Sequence, residues 1–234
     1  MTSKNTKRDY VGVIYNESDR PFTSYPILLT RYLWKKYNLN KGQRLLDVGC
    51  GRGEFIKGFK ESGADAYATD QSETIKNYYP EIQFKNADIE KEGIPYPDNF
   101  FDVVYSKSVI EHFHDPEKLM KEIFRVLKPG GIVITLCPSW EFNYKTYFED
   151  YSHRTPFMLE SLRDIQLIFG FEDVNVSFFR QLPSTWGSLR YIFNFLSKLT
   201  QIFAPKILKS KMKWVRFSKE IMLLSSAKKP TLKQ

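Results

Sequence analysis

The chain has 234 residues, 42% of them hydrophobic and 26% charged, with a formal net charge of +8, the composition of a soluble globular protein long enough to bury a sizeable core. The leading residues MTSKNTKRDY lack the apolar stretch of a signal peptide, and no run of about 18 uncharged apolar residues could span a bilayer, so the expected address is cytoplasmic. The two cysteines, Cys50 and Cys137, exclude a disulfide framework and neither has a metal-ligand spacing, so no metal site is expected.

In chain order, a polar and aromatic lead-in, RDYVGVIYNESDRPFTSY, precedes a helix from Tyr25 to Tyr37, and residues 1–40 read as a helical cover. Residues 41–180 form the core region. Strands are expected at Arg44–Val48, Asp65–Thr69, Ile82–Lys85, Phe101–Tyr105 and Ile132–Cys137. Between them, Phe55, Ile56 and Phe59 share a helical face that Gly63 ends. Asp115 and Pro116 start a helix in which Leu119, Met120, Ile123, Phe124 and Leu127 recur at helical spacing, and Lys128–Gly131 turns it into the next strand. Thr155 and Pro156 open a further helix through Phe169, a strand follows at Phe171–Phe179, and a last strand lies near Glu220–Ser225 within residues 217–234. The alternation predicts a single α/β domain: a seven-stranded, mostly parallel sheet with an antiparallel last strand and helices on both faces.

The stretch LLDVGCGRGEF, Leu45 to Phe55, ends a strand on Gly49, Gly51 and Gly53 and restarts as a helix. A plain tight turn needs one glycine. Three together offer backbone N–H groups and a close approach to a ligand. The dinucleotide pattern G-x-G-x-x-G requires a small residue where this chain has Glu54, whereas Asp47 before the glycines suits a cationic group on the ligand. Asp70, ending the next strand, is placed to accept both hydroxyls of a ribose.

Together with these residues, "NADIE", "FDVVYSKSVIEHF" and "RVLKPGGIVIT" resemble the class I S-adenosylmethionine-dependent methyltransferases of the type-11 group, in order and spacing from Arg44 to Thr135. The resemblance implies a Rossmann-like fold and S-adenosyl-L-methionine as cofactor. It implies that Asp47, Gly49 and Gly51 line the methionine and ribose part, that Asp70 with Gln71 holds the ribose, that Asp88 accepts from the adenine amino group with Ile89 against the ring, and that Ser106 approaches the methionine end. Cys50 is then a small residue of the turn and not a nucleophile.

Methyl transfer needs a base only when the acceptor is a hydroxyl. His112, in SVIEHFHD at the carboxyl edge of the sheet, is the first candidate, against a packing or capping role for it and Glu111; His114 reads as surface. The fragment Asp150–Phe157, DYSHRTPF, resembles a form found in type-11 enzymes of bacterial surface-glycan clusters, which implies that His153 and Arg154 face the acceptor, Arg154 suiting a carboxylate or phosphate. A helix-capping role for this fragment is the alternative. The motif of amino methyltransferases acting on adenine or glutamine is missing after the fourth strand, which favours O-methylation of a small or glycan-like acceptor over base methylation and leaves N- and C-methylation open; the DYSHRTPF resemblance, with the basic late segment, implies an anionic sugar or phosphorylated acceptor in polysaccharide biosynthesis.

The excess charge is local. Between Val174 and Lys219 lie nine Lys or Arg and no Asp or Glu, leaving 26 basic against 27 acidic residues elsewhere, which argues for a local anionic partner and against nucleic acid. In this region, the basic insertion 181–216, Leu189, Ile192, Phe193, Leu196, Leu199 and Phe203 share a helical face opposite Arg190, Asn194, Ser197, Lys198 and Gln201, followed by Lys206, Lys209, Lys211 and Lys213. Residues 186–214 admit three roles: a lid on the acceptor pocket, a peripheral membrane contact, or a homodimer contact. Two competing readings are a quinone or other lipid-acceptor methyltransferase and a cofactor-binding scaffold without activity.

Overall fold

Leu45, Leu46 and Val48 are buried on both sides of their strand, the mark of a central parallel strand covered by helices. The computed structural model describes residues 10–14, 17–18, 20–203 and 212–231. In these the strands are β1 Arg44–Val48, β2 Asp65–Asp70, β3 Gln83–Asn86, β4 Phe101–Lys107, β5 Leu127–Pro138, β6 Glu172–Arg180 and β7 Ile221–Lys228. They form one sheet in the order β3-β2-β1-β4-β5-β7-β6, in which every pairing among β1 to β5 is parallel and β7 is antiparallel to both neighbours. The helices are α1 Tyr10–Ile14, α2 Tyr25–Lys36, α3 Glu54–Ser62, α4 Ile75–Tyr78, α5 Ile89–Glu92, α6 Pro116–Val126, α7 Trp140–Asn143, α8 Leu159–Ile168, α9 Arg190–Phe203 and α10 Lys213–Lys219.

Two apolar layers hold the sheet. On one face Leu29 and Leu33 of α2 and Ile56 and Phe59 of α3 pack against Leu45, Val103 and Tyr105. On the other, Leu119, Met120 and Ile123 of α6 and Leu162 of α8 pack against Leu46, Val104 and Val133. Asp115 caps α6 by accepting from the Glu117 N–H at 3.2 Å, and Gly63 ends α3 in the left-handed region, both as their positions predict.

The last strand is antiparallel as expected, the sequence leaves its place in the sheet open, and two boundaries differ from expectation. The last strand lies inside the sheet, because β7 is buried along nearly its whole length, whereas β6 is largely exposed and forms the edge. α8 begins at Leu159 instead of Thr155: the Thr155 hydroxyl donates to the Phe113 carbonyl at 2.9 Å, holding Thr155 in a loop, and Met158 N–H caps on Ser161 Oγ. β5 begins at Leu127, since Gly130 and Gly131 pair with Lys229 beyond the end of β7. Of the insertion, Lys206, Lys209 and Lys211 lie outside the described residues.

β1, β2 and β4 run parallel in register, so Asp47, Asp70 and Lys107 come to the same carboxyl edge. The contact of α2 with α3 is close enough to test. A Cβ added at Gly58 would lie 2.3 Å from Thr30 Oγ1, whose hydroxyl is tied to the Pro26 carbonyl. Alanine there gains about 1 kcal/mol in helix propensity, but overpacking costs about 1–3 kcal/mol. Gly58→Ala is therefore expected to lower Tm by a few degrees; a rise would show that the two helices part at little cost.

Candidate active site at the carboxyl edge of the sheet

β1 ends at Val48 in a turn of left-handed glycines. Gly49 has φ +72°, and a Cβ there would lie 2.3 Å from Val109 Cγ2, so no other residue fits. Gly51 has φ +51° and open space where its Cβ would be, which leaves the turn's backbone approachable. Asp70 holds the turn in place: one carboxylate oxygen accepts from Gly51 N–H and the other from Ser72 N–H, each at 2.8 Å. The Tyr10 hydroxyl of α1 donates to both oxygens, at 2.9 and 3.0 Å, a contact across sixty residues that no local pattern announces.

Asp47 is 2% exposed, and its Oδ2 meets no hydrogen-bond partner among the described residues. Burial, reinforced by the charge of Asp70, holds its carboxyl well above the usual range. Ile89 is buried, Gln71 is exposed, and Asp88 is partly exposed and paired with Lys91 at 2.6 Å; all three line the cavity described below. Ser106 does not. It is buried beneath the wall with an unpartnered Oγ, because β4 continues to Lys107 and shifts the cavity-facing positions to Lys107 and Ser108. Cys50 is buried, which raises its thiol pKa, as a packing residue requires.

Beyond β4 a single turn of 3₁₀ helix, Ile110–His112, carries Glu111 and His112. The Glu111 carbonyl accepts from the backbone N–H of Arg154 at 2.8 Å and of Thr155 at 3.1 Å, which pins the loop after α7 across this turn. The pin brings His153 beside His112, with ring centroids 4.8 Å apart. His153 Nδ1 lies 2.6 Å from the Tyr147 carbonyl, which only accepts, so Nδ1 carries the proton and Nε2 the lone pair. Ser152 gives its proton to Asp150 at 2.6 Å and lies 3.0 Å from His112 Nδ1, so it accepts there and His112 Nε2 is likewise bare. Burial, followed by the second imidazole, holds the His112 pKa below its ordinary range.

Glu111 is fully buried, and neither carboxylate oxygen has a hydrogen-bond partner among the described residues; burial pushes its pKa up to about 8. A carboxylate inside the apolar run VVYSKSVIEHF was the available signal for it. Arg154 stands exposed at the rim, its guanidinium on the carbonyls of Tyr151 and His153, and His114 is exposed as expected. Lys107 is half-buried, and burial lowers its pKa.

The glycine turn and the histidines open on one cavity of ≈ 1690 Å³. α9 contributes no lining residue, whereas α10 contributes Lys213, Arg216 and Phe217. Asp47, with a buried oxygen lacking a partner, the open backbone at Gly51 and the acceptor Asp70 fit a ligand that carries a cation and a ribose diol.

Residues 46–135 match the family model described as "Methyltransferase domain". That stretch, somewhat over a third of the chain, is similar to a methyltransferase domain. It is 36% identical over 115 residues to phosphoethanolamine N-methyltransferase 1 of Zea mays, covering 45% of this chain and 22% of that enzyme. It is 30% identical over 125 residues to demethylmenaquinone methyltransferase of Renibacterium salmoninarum, covering 52% and 50%. The chain thus spans between a fifth and a half of these curated relatives. In fold it resembles a SAM-dependent methyltransferase of Archaeoglobus fulgidus, with a TM-score of 0.67, 22% identity, and 94% of this chain and 100% of that one covered. The fold is the Rossmann-like methyltransferase fold.

Asp70→Ala is expected to weaken binding of S-adenosylhomocysteine by about 1–3 kcal/mol, the loss of a buried hydrogen-bond acceptor. Calorimetry, with NADH as a control that should not bind, measures it. Wild-type affinity in the variant would mean that Asp70 serves the turn alone.

Proposed function

We propose that the protein transfers the methyl group of S-adenosylmethionine to an oxygen of a small anionic acceptor, a sugar- or phosphate-bearing intermediate of surface-polysaccharide biosynthesis. The observation that carries this reading is that the cluster of Glu111, His112 and His153 opens on the same cavity as the glycine turn. When bound, the cofactor supplies an activated methyl group on a sulfonium. The chain's part is to position two reactants. Asp47, Gly49, Gly51 and Asp70 hold one, with Gln71, Asp88 and Ile89 toward its base. His112 and His153 receive the other, His112 Nε2 facing the proton of an acceptor hydroxyl.

Charge supports an anionic acceptor. Lys107, Arg154 and Lys213 line the cavity beside Glu149 and Asp150, with Arg216 paired to Glu220 at 2.8 Å, and the relative from Zea mays is named for a phosphate-bearing acceptor. The placement in surface-glycan chemistry rests on the DYSHRTPF stretch, whose His153 belongs to the cluster. Incubation with labelled cofactor and a panel of sugar nucleotides, phosphosugars and phosphoamines tests the reading: label on a hydroxyl of a phosphate-bearing compound is expected, and label on amines alone would replace oxygen with nitrogen.

A second reading, in which the acceptor is held in a membrane, is favoured by α9. Its polar side faces the protein: Ser197 bonds Ser218 and Arg180, and Thr200 bonds Trp214. Its apolar side faces outward, with Tyr191 74%, Ile202 71% and Phe203 76% exposed. Of the three roles left open by the sequence, a lid receives no support from α9, which contributes no residue to the cavity lining. An outward apolar stripe flanked by Arg190, Lys198 and Lys213 suits the surface of an anionic bilayer, and one relative is named for a quinone. No helix among the described residues is long and apolar enough to cross a membrane. Flotation with anionic phospholipid vesicles is expected for the wild type and not for Ile192→Glu with Phe195→Glu. No flotation, together with a solution mass of two chains, would assign the stripe to a second copy of the protein.

A further inference from the structure

We infer that Glu111, His112 and His153 form a binding site for one divalent first-row cation, which holds the oxygen of the methyl acceptor. The role given to the ion rests on the methyltransferase reading; the existence of the site does not.

Each of the three residues offers one ligand atom, and the three atoms lie within 4.8 Å of one another. Donors bonded at about 2.1 Å to a common ion sit about 3–4 Å apart, so the trio need draw in by only about 1 Å. Two imidazoles and a carboxylate are a donor set for zinc, manganese, cobalt or iron(II), and three protein ligands leave positions open for a substrate oxygen.

Two further features point the same way. Ligating histidines generally donate their other ring N–H to a carbonyl, a hydroxyl or a carboxylate, which fixes the tautomer that can bind metal. Both histidines do so here. His153 Nδ1 donates to the Tyr147 carbonyl, and His112 Nδ1 to Ser152, which in turn donates to Asp150. Each Nε2 keeps its lone pair. The second feature is Glu111, fully buried with two oxygens that no donor among the described residues meets. Lys107 acts on this carboxyl only through space, so its ionised form lacks direct ligation, which a cation bonded to it would supply. No expectation of a metal came from the sequence because the ligands lie forty residues apart and meet only where the Glu111 carbonyl pins the loop that carries His153.

An ion at this trio acts in place of direct proton removal by His112. A hydroxyl bound to a divalent cation loses its proton to water near neutral pH, leaving the acceptor oxygen as an anion in the cavity that also contains the glycine turn. Ser152 is then a positioning residue, acting on the ion through the His112 ring.

The test uses the full chain, freed of metal with a chelator and titrated with Mn²⁺, the unbound ion being followed by electron paramagnetic resonance, and then with Zn²⁺ in competition. One ion per chain is expected, with binding lost in Glu111→Gln and in His153→Ala and weakened about 10–100-fold in Ser152→Ala, as for other residues that orient a ligand. Calorimetry with S-adenosylhomocysteine on each variant shows that the fold and the glycine turn are intact. Wild-type protein that binds S-adenosylhomocysteine but takes up no stoichiometric ion would overturn the site, as would uptake that survives Glu111→Gln. Ion uptake without any binding of S-adenosylhomocysteine would support the site while removing the methyltransferase reading.

Discussion

Three carboxylates buried along one edge of the sheet, Asp47, Asp70 and Glu111, are the constraint on which the rest of the site depends. An ionised carboxylate taken out of water costs several kcal/mol unless charge or hydrogen bonds replace the lost solvation. For Asp70 the replacement is internal, from two backbone N–H groups and the Tyr10 hydroxyl. Asp47 and Glu111 retain oxygens without partners among the described residues. The apolar layers on both faces of the sheet hold them where they are, and the raised pKa of both carboxyls records the unreplaced solvation.

The two ends of the cavity are built differently. At the glycine turn the geometry comes from backbone conformation: Gly49 leaves no room for a side chain, and Gly51 leaves its N–H on a carboxylate. At the histidine end it comes from a loop held across a 3₁₀ turn by two backbone hydrogen bonds to the Glu111 carbonyl. Glu111 thus sets the site twice, its carbonyl fixing where His153 stands and its carboxylate facing the result. Substitution of its side chain leaves the first function intact, which separates chemistry from folding at this position.

Features that depend on neighbours in sequence were legible. The helix cap at Asp115, the stop at Gly63, the strand cores and the acid ending β2 all follow from local spacing. Features that depend on distant contacts were not. Thr155 looks like a helix start until its hydroxyl finds the Phe113 carbonyl, and nothing in the sequence sets the position in the sheet of β7, which its two-sided burial places between β5 and β6. Ser106 was misplaced by the length of β4. For α9 the amphipathic pattern was legible but its direction was not given by it, because the inward polar side is satisfied by Arg180, Trp214 and Ser218 from other parts of the chain.

Tyr10 shows how the N-terminal cover enters the chemistry. A carboxylate has about four lone-pair positions, and at Asp70 the N–H groups of Gly51 and Ser72 and the hydroxyl of Tyr10, shared between both oxygens, make four contacts. On the proposed reading, a ribose diol competes with the Tyr10 hydroxyl for Asp70. The two N–H groups belong to the turn and cannot leave without dismantling it, whereas Tyr10 sits on a five-residue helix. The exchange falls on the cover, and by linkage any contact that favours α1 in its present place weakens the ligand by the same free energy.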